Sequence, residues 1–77
     1  MAVSERISKA FGKAVRRRRE KLGLSQEALA DKAGIHRTYV SSIELGKVRV
    51  GLDIAQKVAH GLGFPLSRLI AEAETHR

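Results

Sequence analysis

Apolar residues recur at helical spacing in five stretches, and glycines separate them. Ile7, Ala10, Phe11, Ala14 and Val15 form one stripe, which predicts a helix from about Ser4 to Leu22. Ser4 suits its N-cap, and Glu5 suits the positive end of its dipole. A second, short helix starts after Ser25, a good N-cap, with Leu24 and Leu29 spaced as a hydrophobic staple. Glu27 favours that N-terminus, and Leu29, Ala30 and Ala33 can face inward. A third helix spans about His36 to Leu45, with Val40 and Ile43 inward and Ile35 anchoring the turn before it. Arg37, Thr38, Ser41, Ser42 and Leu45 fall on its other side. The fourth covers about Leu52 to Leu62, with Leu52, Ala55, Val58, Ala59 and Leu62 as its stripe. Gly61 inside it costs about 1 kcal/mol relative to alanine. The fifth begins near Pro65 and shows Leu66, Leu69, Ile70 and Ala73 on one side. Gly23, Gly34, Gly46 and Gly63 each follow a helical pattern where a C-terminal cap wants a positive φ. No segment reads as a strand, so the expected fold is all-α, with five helices.

The third helix is rich in β-branched and hydroxyl residues, so propensity supports it little and packing must hold it. An unsupported outer face rich in hydrogen-bonding groups suggests that the face is used. Charge points the same way. The net charge is +7. Residues 1–50 hold 12 Lys/Arg against 5 Asp/Glu, whereas residues 51–77 hold three of each. A basic part joined to a neutral part suits polyanion binding beside self-association.

The remaining composition mostly excludes. At 77 residues one domain, residues 1–77, is expected, and a core this small usually needs help from idealised helix packing, a partner chain, a metal or disulfides. There is no cysteine, which removes disulfides and thiolate metal sites. His36, His60 and His76 lack ligand-like spacing, so neither metal nor cofactor is expected. No apolar run reaches membrane-spanning length and no secretory leader precedes the first helix, so a cytoplasmic location with no membrane partner is expected. No nucleophile–base pair or phosphate-cradling loop appears, so an enzyme is not expected. Two Phe and one Tyr are too few for a single-strand stacking platform.

Two short helices joined through a glycine inside a basic domain suggest a helix-turn-helix at about residues 25–45. The stretches Leu24-Ser25-Gln26-Glu27-Ala28-Leu29-Ala30-Asp31-Lys32-Ala33-Gly34-Ile35 and Tyr39-Val40-Ser41-Ser42-Ile43-Glu44-Leu45-Gly46-Lys47 resemble the Cro/phage-repressor helix-turn-helix (XRE) family. The resemblance covers about residues 7–72. Within that family the run His36 to Glu44 is most similar to the controller proteins of restriction–modification systems; phage-type repressors and antitoxin-type autoregulators, whose role includes binding a protein partner, use similar words. The resemblance implies a compact five-helix domain whose third helix enters the major groove, about 12 Å wide.

Arg37 and Thr38 lie in the first turn of that helix. Arg37 can give bidentate bonds to guanine or clamp a phosphate. Thr38 can offer its hydroxyl to a base or phosphate, or its methyl to thymine. Ser42 follows one turn later, and Ser41 shares the outer side. Tyr39 is either core or a hydroxyl that reaches the backbone. His36 is either an N-cap or a DNA contact. Lys47 and Arg49 follow the helix and would grip the flanking backbone. The resemblance implies that Gln26, at the start of the second helix, contacts a phosphate. It also implies that Arg19 pairs with Glu44, linking the first helix to the third. Arg18 stands where the family often has an apolar residue. Arg16 and Arg17 either touch phosphate or form a solvated face.

One helix-turn-helix reads only a few base pairs. The expected protein is therefore a homodimer on an inverted repeat of double-stranded DNA, with half-sites about 34 Å apart. Occupancy would act by blocking RNA polymerase at one site or touching it at another. The neutral tail, at about residues 52–74, offers Ile54, Phe64, Leu66, Leu69 and Ile70 either as a dimer interface or as completion of the monomer core, and the resemblance implies that the last helix serves dimerisation. Gly61 could permit close approach of the subunits.

Overall fold

The computed structural model describes residues 2–75. Five helices follow one another: α1 (Val3–Lys21), α2 (Gln26–Ala33), α3 (Arg37–Glu44), α4 (Leu52–Leu62) and α5 (Leu66–Thr75). Among the described residues there is no strand. The helix-ending glycines fall where the sequence puts them, with φ of 71° at Gly23, 72° at Gly34, 70° at Gly46 and 63° at Gly63.

The start of α1 differs from expectation. Ala2, not Ser4, is the N-cap, and no side chain caps the helix. The extended Ala2 carbonyl already accepts from the Arg6 amide at 3.0 Å, which places Ser4 inside the first turn. Pro65 precedes α5, and its carbonyl accepts from the Arg68 and Leu69 amides at 3.0 and 3.1 Å.

All five helices feed one apolar cluster, from Ala10, Phe11, Ala14 and Val15 of α1 to Leu69 and Ala73 of α5. α1 packs on α5 and α3, while α2 packs on α4 and α3. Glycine permits two of these crossings. A Cβ on Gly12 would strike the Ile43 carbonyl oxygen and lie 2.8 Å from that of Glu44, so α1 rests directly on the backbone at the end of α3. A Cβ on Gly61 would lie 3.0 Å from both the Ala33 amide nitrogen and a Leu29 methyl, so Gly61 serves the α2–α4 crossing. Gly61 is therefore buried inside the protomer rather than at a subunit contact.

Two other apolar residues change sides. Leu52 is 80% exposed at the first position of α4, whose contact with the core begins at the half-buried Ile54 and the buried Ala55. Leu69 is fully enclosed within the single chain, so it completes the protomer core and leaves the candidate dimer surface.

Candidate nucleic-acid interface

The α2–turn–α3 unit is held by local bonds. Ser25 Oγ accepts from the Ala28 amide at 2.9 Å and starts α2. Gly34 ends it in the left-handed conformation, where a Cβ would be strained. The chain then needs only Ile35 and His36 before α3. His36 Nδ1 accepts from the Thr38 amide at 3.2 Å, so His36 is the N-cap of α3. Val40 and Ile43, each 1% exposed, fix the inner face. On the opposite face Arg37 and Thr38 are exposed, Ser41 and Ser42 half-buried, and Leu45 56% exposed.

A polar network fixes α3 against both earlier helices. Arg19 Nε and Nη2 donate to the two oxygens of Glu44 at 2.6 and 3.0 Å, and Arg19 Nη1 donates to the Leu24 carbonyl at 2.8 Å. The guanidinium therefore ties α1 to α3 and to the loop before α2. The hydrogen bond to Glu44 raises the Arg19 pKa further above its ordinary value, outweighing the lowering by burial. Gln26 joins the same carboxylate, with Nε2 donating to Glu44 Oε1 at 3.1 Å. This bond was not legible in the sequence, where Gln26 and Glu44 had separate roles. It leaves the carboxamide oxygen and one N–H of Gln26 at the α2 N-terminus, where the helix dipole favours an anion.

The other candidate residues sort by exposure and partner. Arg37 is open to solvent, with its Nη1 3.9 Å from Glu27 Oε2 at an equally exposed position. Thr38 Oγ1 lies 2.7 Å from His36 Nδ1. The same Nδ1 thus meets both the amide and the hydroxyl of Thr38. In the free protein the Thr38 hydroxyl is therefore engaged with the imidazole that caps its own helix. Tyr39 is half-buried and packs on the core. After α3 the chain alternates: Val48 and Val50 pack on the core, while Lys47 and Arg49 project outward on the exposed side.

The arginine run divides by position around α1. Arg16 pairs with Glu20 on the exposed surface at 3.1 Å, and Arg17 is exposed. Arg18 takes a structural role: its guanidinium lies 3.8 Å from the Phe64 ring centroid and 3.9 Å from Glu72 Oε2, fastening α1 to α5. One face of Phe64 is thereby covered from within the chain. Ile54, Leu66 and Ile70 are half-buried. Ile70 lines a shallow apolar depression with Ile7, Phe11, Val50 and the exposed Leu52.

Among the described residues no group of His, Asp and Glu is placed to hold a metal, and His76 lies outside them. None of the described helices is long and apolar enough to cross a membrane.

Comparison with known proteins agrees with this geometry. A helix-turn-helix family model matches residues 15–69. The chain is 45% identical over 65 residues to control protein C.MunI of a Mycoplasma species, covering 83% of this chain and 88% of that protein. It is 46% identical over 54 residues to control protein C.BamHI of Bacillus amyloliquefaciens, covering 69% of this chain and 67% of that protein. The crystal structure of the restriction-modification controller protein C.AhdI from Aeromonas hydrophila superposes with a TM-score of 0.77 at 38% identity, covering 79% of this chain and 92% of that one. The chain belongs to the helix-turn-helix family, in its Cro/phage-repressor branch, and is a DNA-binding transcription regulator of the controller-protein type.

Proposed function

We propose that two copies of the chain bind an inverted-repeat operator, and that this occupancy regulates restriction–modification genes, including the gene for the chain itself. The observation that carries this reading is the outer face of α3. Arg37, Thr38, Ser41 and Ser42 stand clear of the core, on a helix whose other face is anchored by Val40, Ile43 and the Arg19–Glu44 pair.

Arg37 would read a guanine edge, and Thr38 would offer its hydroxyl to a base or phosphate or pack its methyl on thymine. Ser41, Ser42, Tyr39 and His36 complete the face, while Gln26, Lys47 and Arg49 take flanking phosphates. The size of one protomer favours the dimer. Its longest extent is 31 Å, short of presenting two recognition helices about 34 Å apart. Leu52, Ile54, Leu66 and Ile70 form the apolar surface for the second copy, with Leu52 replacing the enclosed Leu69.

Selection from a random duplex library at near-physiological salt tests the reading. The expected product is an inverted repeat with half-site centres about one helical turn apart. On that operator Arg37→Ala should relax preference at one base-pair position by about 1–3 kcal/mol. Lys47→Ala should weaken every sequence alike. Recovery of no motif, or uniform loss with Arg37→Ala, overturns the assignment.

A further inference from the structure

Lys9 lies against the turn that follows the recognition helix. A Cβ on Gly46 would come within 2.5 Å of Lys9 Cγ and 2.9 Å of Lys9 Cα, so the lysine stem starts beside Lys47. Lys13 follows Lys9 by one turn, and Arg6 precedes it by three residues, so all three share one face of α1. All three are exposed, and they line a groove together with Glu74.

Among the described residues none of the three forms an ion pair, whereas Arg16, Arg18, Arg19 and Arg37 each have a carboxylate within 4.0 Å. Like charges three and four residues apart destabilise a helix. Glu74 lines the same groove and Glu5 stands one turn before Lys9, but neither carboxylate comes within 4.0 Å of the three cations. A row of anions outside the protein would offset that repulsion.

We infer that Lys9 and Lys13 continue the outward row of Lys47 and Arg49 onto α1, so that α1 grips DNA phosphates beside the groove α3 enters. Continuity with the turn after α3 selects the DNA backbone over an unrelated polyanion. The two lysines rise about 6 Å apart along the helix, far enough to take one phosphate each. The contact fixes register and affinity and carries no base preference. It rests on the DNA-binding reading above.

The test measures the dependence of binding on salt concentration, using the selected operator and an unrelated duplex. The Lys9→Gln/Lys13→Gln variant should lower the slope of log K against log salt by about 2 on both duplexes. Lys13→Gln alone should lower it by about 1, and Lys9→Arg/Lys13→Arg should keep the parental slope. Lys32→Gln/Lys57→Gln removes the same charge from exposed positions on α2 and α4 and should leave the slope unchanged. An unchanged slope in the α1 variants, or a change matched by the Lys32/Lys57 variant, overturns the inference while leaving operator reading intact. Failure of the parent protein to bind any duplex overturns both.

Discussion

The crossing of α1 on α3 and the crossing of α2 on α4 both depend on a glycine, but they are fastened differently. At the first, Gly12 lets α1 touch the Ile43 and Glu44 carbonyls, and two turns further along α1 the Arg19 fork grips Glu44. At the second, Gly61 meets the Ala33 amide nitrogen and a Leu29 methyl. Among the described residues, no side-chain hydrogen bond or ion pair joins α2 to α4. Apolar burial is non-directional and tolerates small rotations, whereas a two-pronged bond between planar groups fixes orientation. The helix that carries the reading face is held by the directional kind.

Glu44→Ala should have the largest effect. It leaves Arg19 largely enclosed without its carboxylate, and a loss of about 3–5 kcal/mol is expected in urea unfolding. A loss under about 1 kcal/mol, typical of a surface pair, would mean the polar bonds add nothing to this crossing. Gly12→Ala follows, at about 2–3 kcal/mol, because the new methyl meets backbone that cannot rotate away. Operator binding should fall further than this stability loss explains, since α3 must shift. Arg19→Lys should cost about 1–2 kcal/mol, because a lysine ammonium cannot reproduce the fork or keep the bond to Leu24. Gly61→Ala should be smallest, within about 1 kcal/mol by thermal unfolding, because its contacts at 3.0 Å with the Ala33 amide nitrogen and a Leu29 methyl are looser than those of Gly12 and improved helix propensity offsets the crowding. If Gly61→Ala cost as much as Gly12→Ala, the two crossings would be equivalent after all.

What the sequence made legible was mostly local. Ser25, Gly34 and Gly63 mark helix ends because caps depend on a residue's own backbone and near neighbours. The stripes through Val40 and Ile43, and through Ala55, Val58 and Ala59, name inward faces because helical periodicity is local too. The resemblance supplied Arg19–Glu44, which no spacing along the chain reveals.

What stayed hidden depended on distant partners. Gly12 looks like any helical glycine until α3 is laid across it. Leu52 and Leu69 both sit on apolar stripes, and only the reach of neighbouring helices decides that one is exposed and the other enclosed. The Thr38 hydroxyl reads as uncommitted until His36 Nδ1 is placed beside it. Lys9 shows no motif at all, and only its contact with Gly46 relates it to the turn after α3.

The division of α3 into an anchored inner face and an uncommitted outer face has a consequence for descent. Arg37, Ser41 and Ser42 share no hydrogen bond with the core, so replacing them should barely disturb folding. Operator preference can then drift, or be redesigned, as a cassette independent of the scaffold. Thr38 is the exception, because its hydroxyl also closes the His36 cap, so a new specificity at that position should be accompanied by a new N-cap.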